Sequence, residues 1–338
     1  MFYSGLDINA NSTGLVDYPF LYKLIINLGA LFPNTCFYLL KPSSMKIAYI
    51  SYSGALKYGT ANNFNENTEL LPLLQSRGLD ITSEIWDDPK VDWAKYDVAV
   101  LKTPWDYHQK FEQFNHWLDH LESSNVRLFN DYPVVRWNMD KHYLQEIEQS
   151  GFEIIPSVFL SKGWKEELAP LFERLATDKL IIKPCVSGGS KDTLILNKAT
   201  ADKDIDSVVK LLEKGDFIIQ PMMSQIQKGE WSFIFFGGKY SHTIIKKPKE
   251  GDFRVQQIFG GSIETVSPDQ IYIDEAERYI SRYAKDSLYA RVDGLMVGER
   301  FMLMELELVE PFLYLSYHPQ AVDNYYSALI EKLNLISI

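Results

Sequence analysis

A chain of 338 residues, 46% hydrophobic and 23% charged, has the make-up of a folded globular protein and the length for two or three packed units. Its formal net charge of −11 argues against a nucleic-acid partner, which calls for a basic face. Two cysteines, Cys36 and Cys185, make no disulfide framework and fit a reducing cytoplasm, and the six histidines show no metal spacing.

The first 44 residues differ from the rest. The uncharged stretch LIINLGALFPNTCFYLL contains Asn27, Gly29, Pro33 and Asn34, a poor match to a membrane span of about 20 apolar residues. Asp7, Asp17 and the lack of a small-residue cleavage pattern tell against a secretory signal. Residues 1–44 therefore read as an upstream leader without a stable fold, with the natural start at Met45; a membrane-associating arm is the alternative. From Met45 strand and helix alternate: KIAYIS, a helix in ENTELLPLLQSRG, strands DITSEIW and YDVAVLK, a helix in HQKFEQFNHWLDHLESS, and a short strand VRLFN. This rhythm over 45–137 predicts a mostly parallel sheet with helices outside. Ligands of such sheets bind at the carboxyl ends of the strands, where the loops 51–63 and 102–110 leave. In the second loop Trp105, Asp106 and Tyr107 read either as substrate contacts or as a sheet-edge plug with an Asp N-cap.

Beyond Asn138 the pattern changes. NMDKHYLQEIEQSG reads as an amphipathic helix bearing Lys141 and ending at Gly151. The apolar strand DKLIIKP ends at Lys183, and a loop with Ser187, Gly188, Gly189 and Ser190 follows. Glycines let backbone N–H groups approach phosphate oxygens, and serines add donors. FIIQPMM reads as a buried strand, KGEWSFIFF opens another with Glu230 near its start, and EGDFRVQQIFGGS carries Arg254.

The last pair of strands, in LYARVDGLMVGERFMLMELELVEP, puts Arg291 with Asp293 and Glu305 with Glu307, each pair two apart and so on one face. Met304, Leu306 and Leu308 are expected on the opposite, buried face. Converging carboxylates repel unless a cation joins them, and magnesium suits such a set; a solvated acidic edge is the plain alternative. Register decides between them. A two-residue turn at Gly298-Glu299 sets Asp293 opposite Met304, and the carboxylates part. A three-residue turn, or a bulge to the same effect, sets Asp293 opposite Glu305.

In this order the segments resemble the ATP-grasp carboxylate–amine ligases over about 139–315. KGEWSF is similar to the GEF segment of the D-alanine–D-alanine ligases, and EGDFRVQQIFGG to the GDFR…GG stretch of ribosomal-protein glutamate ligases and glutathione synthetases. ARVDG with MELELVEP resembles the family's metal hairpin. With KTPWDYHQKFEQFNHWL upstream, the subgroup likeness is to the cycloserine-forming cyclo-ligase. The resemblance implies an α/β and α+β ATP-grasp fold: an N-terminal parallel α/β domain (45–137), then a central lobe (138–225) and a C-terminal lobe (226–338) clasping ATP. It implies phosphate contacts from Lys141, Lys183, Ser187, Gly188, Gly189 and Ser190, and adenine contacts from Gln220, Pro221, Met222 and Met223. It further implies a ribose contact from Glu230, catalytic roles for Arg254 and Arg291, and one or two Mg2+ (or Mn2+) on Asp293, Glu305 and Glu307. Glu307 stands where the family often has Asn, and the phosphate loop has only two glycines. The implied reaction is ATP-dependent activation of a small amino-acid-like carboxylate as an acyl phosphate for attack by an amine. A small-molecule kinase and a non-catalytic nucleotide-binding protein are the alternatives. The expected partners are ATP and small molecules, with no membrane and a homo-oligomer left open; no residue stands out as general base.

Overall fold

The computed structural model describes residues 45–54, 65–189, 191–256 and 259–336. The leader 1–44 with Cys36, most of the loop 51–63, and Ser190 lie outside them. The first sheet holds β1 (Lys46–Ser51), β2 (Asp80–Ile85), β3 (Val98–Thr103) and β4 (Arg127–Phe129), all parallel, in the order β2-β1-β3-β4. A parallel sheet needs cover on both faces, and alternation along β1 and β3 supplies it. Ile47, Tyr49, Val98 and Val100 pack toward the helix Leu70–Ser76 and the C-terminal helix Ala321–Ile336. Ala48, Ile50, Ala99 and Leu101 pack toward Trp86, Phe114 and Trp117, the latter two on the helix Phe111–Ser123.

A second, antiparallel sheet holds β5 (Val158–Leu160), β6 (Lys179–Pro184), β7 (Leu194–Asn197) and β8 (Phe217–Pro221), in the order β5-β8-β6-β7. The amphipathic helix Ala201–Leu212 covers it through Val208 and Leu212. The third sheet is also antiparallel. It holds β9 (Glu230–Phe236), β10 (Lys239–Lys247), β11 (Ser262–Val266), β12 (Tyr289–Val297) and β13 (Arg300–Glu307), in the order β11-β10-β9-β12-β13. The helix Gln270–Tyr283 buries Ile273, Ala276, Tyr279 and Ile280 against one face. The other face is left for the cleft.

Bonds between sheets fix their relation. The Asn130 amide after β4 donates to the carbonyls of Tyr289 and Leu308, and its oxygen accepts from the Leu288 N–H. Lys102 and Glu66 form a buried ion pair at 2.6 Å, and Glu66 also accepts the N–H groups of Leu313 and Leu315. The first sheet is thereby bonded to the segment that follows β13. No described helix is long and apolar enough to cross a membrane.

Candidate active site

A cavity of about 790 Å³ opens among the three sheets, and its lining includes Lys141, Lys183, Gly188, Glu230, Arg254, Arg291, Asp293, Glu305 and Glu307. The hairpin β12–β13 forms its floor. Val297 pairs with Arg300, so the turn has two residues, with Gly298 at φ +66° in the first central position that this kind of turn reserves for glycine. Farther along, Gly294 pairs with Leu303 while Asp293 pairs with Glu305, so a bulge at Met304 restores the register. Arg291 then lies opposite Glu307, and all four charged residues share the cleft face. The bulge corrects one expectation: Met304 is only half-buried, like Glu305 beside it, whereas Leu306 is buried, because the extra residue leaves Met304 and Glu305 on the same side.

The carboxylates lie among cations that the chain itself supplies. Arg291 forks onto Asp293 at 2.8–3.0 Å, reaches Glu307, and donates to the Phe312 carbonyl at 2.8 Å. Lys246 on β10 bonds Glu230 and reaches Asp293 at 3.3 Å, and Ser232 donates to Asp293 at 2.6 Å. Lys183 meets Glu305 at 2.9 Å; Lys141 lies 3.9 Å from Glu305 and 3.3 Å from the Ser187 carbonyl. Burial works against the Glu305 charge, but Lys183 and Lys141 hold its pKa down at about 2. Burial pushes Glu307 up to about 7, and Glu310 up to about 8 with help from Glu307. Asp293 is almost wholly buried and bonded on several sides, whereas the Glu305 and Glu307 side chains stay 28% and 31% exposed. Hard carboxylate oxygens on one face, two of them open, fit a divalent cation that completes its shell with phosphate and water.

Two side chains hold β13 in place. As an edge strand it would expose unpaired backbone. Asn138 instead donates to the Leu306 carbonyl and accepts the Leu308 N–H, and the Tyr143 hydroxyl accepts the Leu306 N–H. Both flank Lys141, which sits in the turn between the helices Tyr132–Asn138 and Tyr143–Gln149 rather than inside a helix as expected. The chain there breaks helix so that Asn138 and Tyr143 can reach the strand while Lys141 turns to the loop.

Gln220 and Pro221 end β8, Met222 and Met223 follow it, and all four line the cavity. The Gln220 amide donates to Ser157, and the Met222 N–H donates to the Lys179 carbonyl. Ile155, Ile226, Val255 and Leu295, with Met223 and Met304 against them, make an apolar slot suited to a flat base. Arg254 lines the cavity but pairs with Asp252 at 2.8 Å and lies over the Phe259 ring at 3.9 Å. Cys185 is buried, and burial raises its thiol pKa far above the ordinary value, as a filler rather than a nucleophile requires.

Of the two readings of loop 102–110, Asp106 caps no helix by its side chain; it accepts the Trp86 indole N–H at 2.8 Å and pairs with Lys110 at 2.7 Å. Trp105 lines the cavity and donates to the Glu310 carbonyl at 3.2 Å. Sequence reasoning missed Lys246, His108 and Glu310. The His108 ring lies 3.4 Å from where a side chain on Gly188 would begin, so the first sheet's loop rests on the glycine loop after β6. Burial, Lys191 and Lys141 lower its pKa and favour the neutral ring.

Comparison with known proteins follows the same lines. A family model described as the N-terminal domain of D-cycloserine synthetase DcsG matches residues 47–130. The cycloserine biosynthesis protein DcsG of Streptomyces lavendulae is 28% identical over 282 residues, 78% of this chain and 94% of that protein. The crystal structure of D-cycloserine synthetase DcsG superposes with a TM-score of 0.73 at 25% identity, covering 85% of this chain and 99% of that one. The D-alanine–D-alanine ligase of Bacillus anthracis in complex with ATP gives a TM-score of 0.62 at 16% identity over 87% of this chain and 100% of that one, a likeness of fold.

Proposed function

From the premise that this chain has the ATP-grasp fold and is an ATP-dependent ligase akin to the cycloserine-forming subgroup, we propose that it joins a small amino-acid-like carboxylate to an amine at the cleft over β12–β13. A carboxylate oxygen attacks the γ-phosphorus of ATP, ADP leaves, and an acyl phosphate forms. The amine then attacks the acyl carbon and inorganic phosphate departs. Charge moves between crowded oxygens in both steps, so positioning and electrostatics supply most of the catalysis.

In this reading Lys141 and Lys183 leave Glu305 for the α- and β-phosphates, and Gly188, Gly189, Ser187 and Ser190 cover the terminal phosphates. The apolar slot beside Gln220–Met223 takes adenine. Glu230 has lone pairs to spare beyond its Lys246 bond and accepts the ribose hydroxyls. Asp293, Glu305 and Glu307 would hold magnesium, one ion or two, which neutralises phosphate charge when bound; Mn2+ would serve as well. Arg291 meets the transferred phosphoryl group from the floor, and Arg254 approaches it from the facing loop. The N-terminal sheet, 45–137, serves as the substrate side, and 138–225 and 226–338 as the two nucleotide lobes. A cytoplasmic setting suits the buried free thiol of Cys185.

The observation that carries the proposal is the bulged hairpin, which puts Arg291, Asp293, Glu305 and Glu307 on one cleft face opposite Lys183. Incubation of the purified protein with Mg-ATP and amino-acid pools tests it. Free phosphate should appear only when carboxylate and amine are both supplied, on one molecule or two. ADP without free phosphate would mean a kinase instead.

A further inference from the structure

The segments that carry Lys141 and Lys183 meet at a second group of polar side chains, away from the face of β12–β13. Asp140 and His142 flank Lys141 in its turn, and Cys185 directly follows β6. A carboxylate oxygen of Asp140, a ring nitrogen of His142 and the Cys185 sulfur all lie within 4.8 Å of one another. None of the three residues lines the cavity. Backbone bonds fix the group: the Lys141 N–H donates to the Cys185 carbonyl at 3.0 Å, and the Cys185 N–H to the Asp216 carbonyl at 2.9 Å. The His142 ring stacks on Phe159 of β5 with centroids 4.9 Å apart. Its Nδ1 lies 2.7 Å from Asp140, and its Nε2 lies 3.8 Å from the Asp216 carboxylate.

A hydrogen-bonded Asp–His pair accounts for Asp140 and His142 alone. It does not account for the sulfur brought to the same point. Cys185 is 1% exposed, and among the described residues nothing hydrogen-bonds to its sulfur. Burial, then Asp140 and Asp216, keep the proton on the thiol against the pull of Lys141 and Lys183. A divalent cation reverses that balance, because it takes the thiolate outright and offsets the carboxylates. The Asp140 and His142 side chains are 40% and 35% exposed, which leaves an ion a way in from solvent. Sulfur, imidazole and one carboxylate are donors of the zinc class, three ligands with a fourth position for water. The face of β12–β13 offers oxygen alone, the preference of magnesium.

We propose that Asp140, His142 and Cys185 form a zinc-class site, separate from the magnesium face, that ties the turn bearing Lys141 to the end of β6. The ion takes the Asp140 oxygen, the His142 Nδ1 and the Cys185 sulfur, replacing the direct Asp140–His142 bond, and the thiol proton leaves to solvent. Asp216 stands at the other ring nitrogen, where a metal-bound imidazole commonly has a carboxylate. The site does not depend on the ligase reading.

The test uses Co2+ as a spectroscopic stand-in for zinc, on the purified full chain freed of metal by a chelator and kept reduced. A single equivalent should give a sulfur-to-cobalt charge-transfer band in the near ultraviolet. The band should persist in excess Mg2+ and vanish when Zn2+ displaces the cobalt. Cys185→Ser should abolish it, and Cys36→Ser should leave it. His142→Gln, at a half-exposed position, keeps the test open should Cys185→Ser not fold; it should weaken cobalt binding about tenfold or more. Zn2+ should raise the melting temperature of the wild type and leave that of His142→Gln unchanged. No thiolate band, a band that survives Cys185→Ser, or a band lost in Cys36→Ser would each overturn the proposal. So would unchanged cobalt affinity in His142→Gln, which would leave Asp140 and His142 as an ordinary hydrogen-bonded pair.

Discussion

Lys183 and Glu305 meet at 2.9 Å across the cleft, one at the end of β6 and the other on β13. The lysine is the more exacting partner, because a phosphate would take it from the carboxylate. Lys183→Met keeps the apolar stem and removes the charge; ATP affinity is expected to fall about tenfold or more, since charge-assisted contacts are worth about 1.5–3 kcal/mol. Calorimetry with ATP checks this, and unaltered binding would remove Lys183 from the site. Lys183 was legible in the sequence because it ends an apolar strand just before a glycine loop. Lys246 was not, since TIIKKPK reads as a strand with solvated lysines. Only the pairing of β10 with β9, which sets Lys246 opposite Glu230, turns it inward. Glu310 escaped for a similar reason: its neighbours Trp105 and Lys141 come from other parts of the chain.

At the scale of elements the hairpin shows where sequence reading stops. Gly298 announced the turn, but the bulge depends on how the two strands meet. Gly294 makes that meeting possible: a side chain there would begin 2.4 Å from the Met302 carbonyl oxygen and 2.4 Å from the Phe301 ring. Gly294→Ala is expected to cost about 1–3 kcal/mol in urea unfolding, as overpacking does, and to lower magnesium-dependent turnover by displacing Glu305. Wild-type stability and turnover would show that the bulge does not rest on this contact. The wall after β13 makes a second prediction through His242 on β10, whose ring is buried against the Leu313 carbonyl at 3.2 Å and stacks on His318. Burial, then His318, lower its pKa from 6.5 to about 4. Between those values the unfolded chain binds the extra proton, so stability is full above about pH 6.5 and is lost as pH falls toward 4, by about 3 kcal/mol for this group. The stability difference between wild type and His242→Gln, followed over pH 4–7, should shrink by that amount on acidification. A difference that does not change with pH would mean that His242 is not held neutral.

Across the whole molecule, the alternation of strand and helix made the first sheet legible, and the run of short apolar strands after Asn138 pointed to the two further sheets. How the sheets join was not, because the joining groups are single polar residues in unremarkable surroundings: Asn130, Asn138, Tyr143 and the Glu66–Lys102 pair. That pair is 1% exposed on both sides. Removing one partner strands the other charge, which costs about 3–5 kcal/mol. Glu66→Gln should therefore lose stability on that scale in urea unfolding and loosen the segment after β13 that Glu66 holds, whereas a loss below about 1 kcal/mol would show that the first sheet does not depend on it. The central claim concerns chemistry rather than stability: a carboxylate oxygen attacks ATP. The measurement that reaches it most directly is isotopic. Amino-acid substrates labelled with 18O in the carboxylate are turned over with Mg-ATP, and the released phosphate is analysed by mass spectrometry. An acyl-phosphate ligase passes one labelled oxygen to each phosphate it releases. Unlabelled phosphate, with the label kept in the product, would contradict the account.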